Sequence, residues 1–204
     1  MFNKVFYIIY LKMLENKKRI FIFIILLFIS SCQKVEILDP IVFDYNQFTK
    51  ISINAEKKNT IILYEPKFVK PFIDHSLDNT PILYFNDWTK NNIQALGTSN
   101  YFEINIIDAA VKKTEIPNID SKKYEEKTIF LYEVNYLVEF VIYDDSNFKL
   151  ASTIVEANRT TTSGKYISLI ETESIINDMI YKCLKDFSNK AKELIKDHMN
   201  QYIL

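Results

Sequence analysis

The chain has few of the residues from which most active-site motifs are built. Its 204 residues include two glycines, five prolines, two cysteines and two histidines. Gly97 and Gly164 stand alone, which excludes a glycine-rich phosphate loop or a dinucleotide fingerprint, since both need several glycines at short spacing. With so little glycine and proline, long flexible linkers are excluded as well. His75 and His198 have no second ligand at metal-binding spacing. Two cysteines cannot build a disulfide framework. Charge of one sign is also missing: the net is −1, with no surplus of basic residues to make the face that nucleic acid requires. The longest apolar run, Ile20 to Ile29, has ten residues, against the ~20 that a membrane-spanning helix needs. No internal repeat stands out.

What is present begins with that run. Lys17-Lys18-Arg19 precedes it, and Ile29-Ser30-Ser31-Cys32 ends it. A basic flank and a short apolar stretch suit a signal peptide better than a spanning helix. The pattern resembles a bacterial lipoprotein signal peptide. That resemblance implies a leader over residues 1–31, cleavage before Cys32, and lipidation of the Cys32 sulfur with a diacylglycerol, usually with a further acyl chain on its amine. Two or three chains anchor stably where one binds only marginally. The alternative is an uncleaved N-terminal anchor with an incidental cysteine. A second apolar stretch, Val5 to Leu11, lies upstream; starting at Met13 gives a leader of ordinary length, so Met13 is the expected initiator. Residues 1–31 carry a net of +4, which taken from −1 leaves −5 for residues 32–204. That acidity points away from electrostatic docking on anionic lipid, so the expected membrane contact is the lipid on Cys32.

Residues 32–48 read as a lipidated tether and 49–204 as a single domain. Ile51–Ala55 and Ile61–Tyr64 read as strands, joined by a turn at 56–59 or continuous through it. Thr80 caps a helix with Pro81 in its first turn; Phe85, Trp88, Ile93 and Leu96 share one face and Gly97 stops it after about four turns. Tyr101–Val111 alternates, then slips by one residue, which signals a bulge or burial of both faces. Tyr132, Val134, Tyr136, Val138, Phe140 and Ile142 alternate with Glu133, Asn135 and Glu139, giving the strongest strand. Asp144–Asn147 turns it back into a partner over Phe148–Thr160. Ser168-Leu169-Ile170-Glu171 has capping-box spacing and opens a long amphipathic helix. The sum is an α+β fold: an antiparallel-rich sheet of about four to five strands with two helices packed on one face.

No residue pattern signals catalysis, a cofactor or a metal. Asp74-His75-Ser76 contains the residue types of a hydrolytic triad, but contiguous side chains do not converge on one point as a triad must. His198 reads as a solvent-facing cation near a helix end. Cys183 lies on the apolar stripe of the last helix and reads as a small core hydrophobe. Asp108 and Arg159 sit in strands among apolar neighbours, so each needs a partner, either one another or other groups; alternatively Arg159 lines a surface for an anionic partner. Tyr132, Tyr136 and Phe140 read as core under a helix. If the far face of the sheet is open, Leu137, Val141 and Tyr143 form a candidate interaction patch.

Pro71-Phe-Ile-Asp-His75, Trp88 in a helix closed by Gly97, Ile107-Asp108-Ala109, and Arg159 with Ser168-Leu169 and Glu171-Thr-Glu173 before a long final helix together resemble a set of small, uncharacterised lipoproteins of Gram-negative bacteria. Asn92 departs from that set, where an arginine four residues after the tryptophan is expected. The order of sheet and helices is more distantly similar to auxiliary lipoproteins of envelope ABC transporters and of lipopolysaccharide assembly. The resemblance implies a non-enzymatic accessory or adaptor, lipid-anchored and facing the periplasm, with an envelope protein complex as partner. Gln33 rather than Asp after the cysteine resembles outer-membrane sorting. The competing expectation is a lipid- or small-ligand-binding carrier with its pocket between helices and sheet.

Overall fold

The computed structural model describes residues 43–204; Cys32, its leader and the start of the tether lie outside them. The core element is a pair of long antiparallel strands, β6 (Thr128–Tyr143) and β7 (Lys149–Ser163). Their turn is set by Asp144, whose Oδ1 accepts hydrogen bonds from the backbone N–H of Ser146 and of Phe148, both 2.8 Å. Asn147 takes the left-handed conformation, φ 63°, which asparagine tolerates better than most residues.

Along its other side β6 pairs antiparallel with β4 (Tyr101–Asp108) and then β5 (Val111–Pro117). These two are one strand path broken at Ala109–Ala110, with a register shift between Ile106 and Asp108. The slip of alternation is therefore a bulge. A short β2 (Lys57–Ile62) adds to β4 in parallel. The result is a mixed five-stranded sheet, mostly antiparallel.

Strand β2 begins inside the stretch expected to turn. It belongs to a different sheet from β1 (Ile51–Ile53), which pairs in parallel with β3 (Ile93–Ala95). The C-terminal residues flank β1: the Leu204 N–H donates to Ser52 O at 3.0 Å and that of Asn54 to Tyr202 O at 2.7 Å.

Helix α1 spans Pro81–Asn92, with Thr80 Oγ1 accepting from the Leu83 N–H. It is shorter than the four turns expected. Ile93 leaves the helix for β3, and Leu96 is exposed. The ammonium of Lys58 replaces the missing C-terminal turn, donating to Thr89 O at 2.7 Å and Ile93 O at 2.6 Å. Thr89 O also accepts the Ile93 N–H, so the ammonium is a second donor there, and a cation at the last carbonyls suits the helix dipole. Gly97 serves close approach, not termination. A Cβ there would lie 2.6 Å from the Ala55 backbone nitrogen, which cannot move aside.

Helix α2 spans Leu169–Met199, capped by Ser168 as its spacing predicts, and at 1.5 Å per residue it is about 46 Å long. Both helices lie on the face of β6 that carries Tyr132, Tyr136 and Phe140. Phe187 of α2 is the hub, its ring centroid 5.2 Å from Phe85, 5.6 Å from Trp88, 6.0 Å from Tyr136 and 6.2 Å from Phe140. All five are fully buried. Two polar links fix this layer: Trp88 Nε1 donates to Ser188 Oγ at 3.2 Å, and the Tyr136 hydroxyl to Pro81 O at 3.1 Å.

Candidate functional site: the open sheet face and its edge

The face of the sheet opposite the helices has no covering layer among the described residues. Its side chains come from the odd positions of β6 and their cross-strand neighbours. Leu137, Val141 and Tyr143 do lie on this face, but they do not make a continuous apolar patch. Val141 is buried, and Glu139 stands between it and Leu137. Glu139 is held by the Lys149 ammonium at 2.9 Å. Tyr143 lies beside Tyr101, with ring centroids 5.8 Å apart. Ile154, opposite Glu139, is an exposed aliphatic on β7. The surface mixes hydrophobic and charged side chains, as interfaces that open and close in water do.

A polar hollow of about 340 Å³ opens where β4 gives way to β5, lined by Lys112, Glu133, Asn135, Glu156 and Asn158. Ala110, at the break, lines it with a short side chain. Asn135 spans it: its N–H donates to Ala110 O and its Nδ2 to Asp108 Oδ2, the latter at 2.9 Å. Asp108 is therefore satisfied across the bulge rather than by Arg159. Arg159 turns to the helix side, where its Nε–H bonds to the Asp186 carboxylate at 2.6 Å. That carboxylate raises the Arg159 pKa further above its ordinary value. The arginine is about half exposed, which makes this ion pair worth little to stability. Among the described residues no cluster of acidic, histidine and cysteine side chains could hold a metal.

Strand β7 forms one margin of the sheet, 15 residues long, and no described strand pairs with its outer side. Such edges invite another strand unless blocked. Here α2 guards part of it: Lys190 Nζ donates to Glu156 O at 2.8 Å.

The remaining singled-out residues are dispersed. Asp74, His75 and Ser76 form a 3-10 turn but face apart. Asp74 is buried and accepts from the Tyr64 hydroxyl at 3.0 Å, Ser76 Oγ donates to Ile73 O, and exposed His75 lies 5.2 Å from the Phe68 ring. Burial, together with the neighbouring Asp74, pushes the Tyr64 hydroxyl far above its usual range. His198 is exposed on α2. Cys183 is buried, and that burial pushes its thiol up to about 12.

Asn92 is the residue that sequence reasoning undervalued. It is fully buried, and its Nδ2 donates to Tyr45 O at 2.9 Å and Phe48 O at 3.2 Å. Those carbonyls belong to residues 43–48, which the sequence reading placed in the tether. The segment is docked between the helices: Phe43 stacks on Tyr84 at 3.6 Å and meets Tyr181 edge-on at 5.2 Å, and Phe48 meets Tyr181 at 5.4 Å. The four aromatics Phe43, Tyr45, Phe48 and Tyr181 were the available signal.

No family model matches the chain. No curated protein matches it. Among solved structures it is similar to a minor lipoprotein from Acinetobacter baumannii, at 13% identity and a TM-score of 0.40, over 74% of this chain and 96% of that one. No helix among the described residues is long and apolar enough to cross a membrane.

Proposed function

We propose that this protein is a lipid-anchored, periplasm-facing, non-enzymatic accessory that works as an adaptor to an envelope transport or assembly complex. The anchor is Cys32, and the outer membrane is favoured by Gln33. The observation that carries the adaptor reading is the sheet itself: among the described residues one face is sealed by both helices, the other is uncovered, and the 15-residue margin strand, guarded by α2 at Glu156, has no strand on its outer side. Strand addition at such an edge supplies affinity through backbone hydrogen bonds, and the flanking face supplies selectivity through side chains.

The carrier alternative needs an apolar cavity of several hundred Å³ between helices and sheet. Trp88, Phe85, Phe187, Tyr136 and Phe140 fill that space, none with exposed surface. A lipid would have to displace this packed layer, which favours the adaptor.

Two measurements test the proposal. Cys32→Ser should shift the protein out of the membrane fraction or stall its processing; unchanged fractionation with normal leader cleavage sinks the anchor. Crosslinking and affinity purification of the anchored protein should recover the same envelope subunits reproducibly, and recovery should fall when Ile154→Lys is introduced beside the free edge. Recovery of the protein alone with co-extracted lipid would instead establish the carrier.

A further inference from the structure

At one end of the sheet two connections meet. The loop of residues 118–127 joins β5 to β6, and residues 164–168 join β7 to α2. They are tied together by the Lys165 N–H, which donates to Glu126 Oε2 at 2.7 Å, and by the Lys165 ammonium on Glu115 at 2.8 Å. This end holds three of the four most exposed large apolar side chains of the described residues, Phe68 at 78% being the other. Ile119 and Tyr124 are each 92% exposed, Tyr166 86% and Leu169 74%.

The loop that carries Ile119 and Tyr124 is well braced. Its ends close through Asn118 N–H to Lys127 O at 2.9 Å. Lys127 Nζ folds back on Lys122 O at 2.7 Å and Ser121 Oγ at 3.3 Å, and the Lys122 N–H donates to Glu125 Oε2 at 2.8 Å. These bonds brace the loop while Ile119 and Tyr124 stand in solvent among exposed charged side chains, large apolar groups left uncovered where burial is the norm.

We infer that this tip rests in the surface of the bilayer that holds the Cys32 lipid, an inference that rests on the anchored reading above. Three features select a lipid surface. Side chains this exposed, with Tyr124 flanked by the Lys123 ammonium 5.5 Å from its ring centroid, form no recess to receive a partner's side chain, as a protein hot spot requires. Tyrosines with nearby lysines are the residues that sit at headgroup level, rings in the acyl boundary and ammonium groups reaching back to water. A loop whose backbone is already hydrogen-bonded internally loses less on leaving water.

The tether also reaches. Eleven peptide links separate Cys32 from Phe43 and span at most about 40 Å. Phe43 docks on Tyr181, which lies twelve residues, about 18 Å, along α2 from Leu169 at the tip. In the loop Lys122, Lys123 and Lys127 are balanced by Asp120, Glu125 and Glu126, so the contact is apolar and needs no anionic lipid.

The test uses the full chain carrying Tyr124→Cys, purified from membranes, labelled with an environment-sensitive fluorophore and reconstituted into phosphatidylethanolamine vesicles with and without phosphatidylglycerol. Buried Cys183 does not take the label, and a lipidated Cys32 has no thiol. The control is Phe148→Cys, 70% exposed and roughly 50 Å away along β6. The expected result is a blue-shifted label at 124 that loses most of its emission to a lipid-borne quencher, in both lipid mixtures, while the label at 148 stays in water. A protein that floats with the vesicles but keeps its label at 124 in water overturns this inference alone. A blue shift without lipid quenching means that protein, not lipid, covers the tip, and also overturns it. A protein that does not float overturns both this inference and the anchored reading.

Discussion

At the scale of single residues the fold depends on a few side chains with two duties. Trp88 fills the space beneath the helices and donates its indole N–H to buried Ser188. Trp88→Phe keeps most of the apolar contact and leaves the Ser188 hydroxyl without that donor, a loss of about 1–3 kcal/mol; a chemical denaturation midpoint equal to the parent's would refute the assignment. Gly97 has the opposite character, since its worth is the absence of a side chain. Gly97→Ala forces a methyl group against the Ala55 backbone and should cost about 1–3 kcal/mol as overpacking. Thermal unfolding decides this: a variant as stable as the parent shows that the β1–β3 region gives way freely. Both residues were visible in the sequence, but only Trp88 had a readable role. A glycine nine residues after a tryptophan looks like a helix stop, and nothing local says that its neighbour is residue 55.

At the scale of elements, legibility followed sequence distance. The alternation of β6, its hairpin with β7 and the Ser168 cap of α2 are local patterns, and they stand where the sequence put them. Strand β1 was read, but β3 and its pairing with β1 were not, because a three-residue parallel strand about forty residues away leaves no periodicity. The end of α1 was misplaced because its stopping signal is Lys58, thirty-one residues before Thr89. The candidate interface was half legible: the open face was foreseen as a possibility, whereas the pairing of Asp108 with Asn135 and of Arg159 with Asp186 depended on a bulge and a helix register that only packing sets. The docked segment 43–48 is the element with the clearest single test. Asn92→Ala removes both side-chain bonds to it and should loosen it by about 1–3 kcal/mol. Limited proteolysis should then cut between residues 43 and 48 much faster while the remaining domain stays resistant. Equal cutting rates would show that the aromatic stack alone holds the segment.

For the whole molecule the buried hydroxyl and thiol groups set a response to alkali. Burial raises Cys183 from 9.0 to about 12 and Tyr45 from 10.0 to about 12, and raises Tyr136 well above 10.0. Each group is neutral in the folded chain at a pH where the unfolded chain has already released its proton. Their contribution is therefore complete below about pH 9 and is lost as pH rises toward 12. Melting temperature should fall progressively across that window; a flat profile to pH 12 would show that these groups titrate freely in the folded state. The docking of residues 43–48 has a mechanical consequence too. Tension drawn along the tether meets the Phe43 stack and the two Asn92 bonds before it meets any strand of the five-stranded sheet. Peeling six residues from the helices releases about 20 Å of slack. The clasp behaves as a fuse: under load the domain lengthens its own leash at low force, and single-molecule pulling through residue 32 should record that small step well ahead of the rupture of β6 from β7.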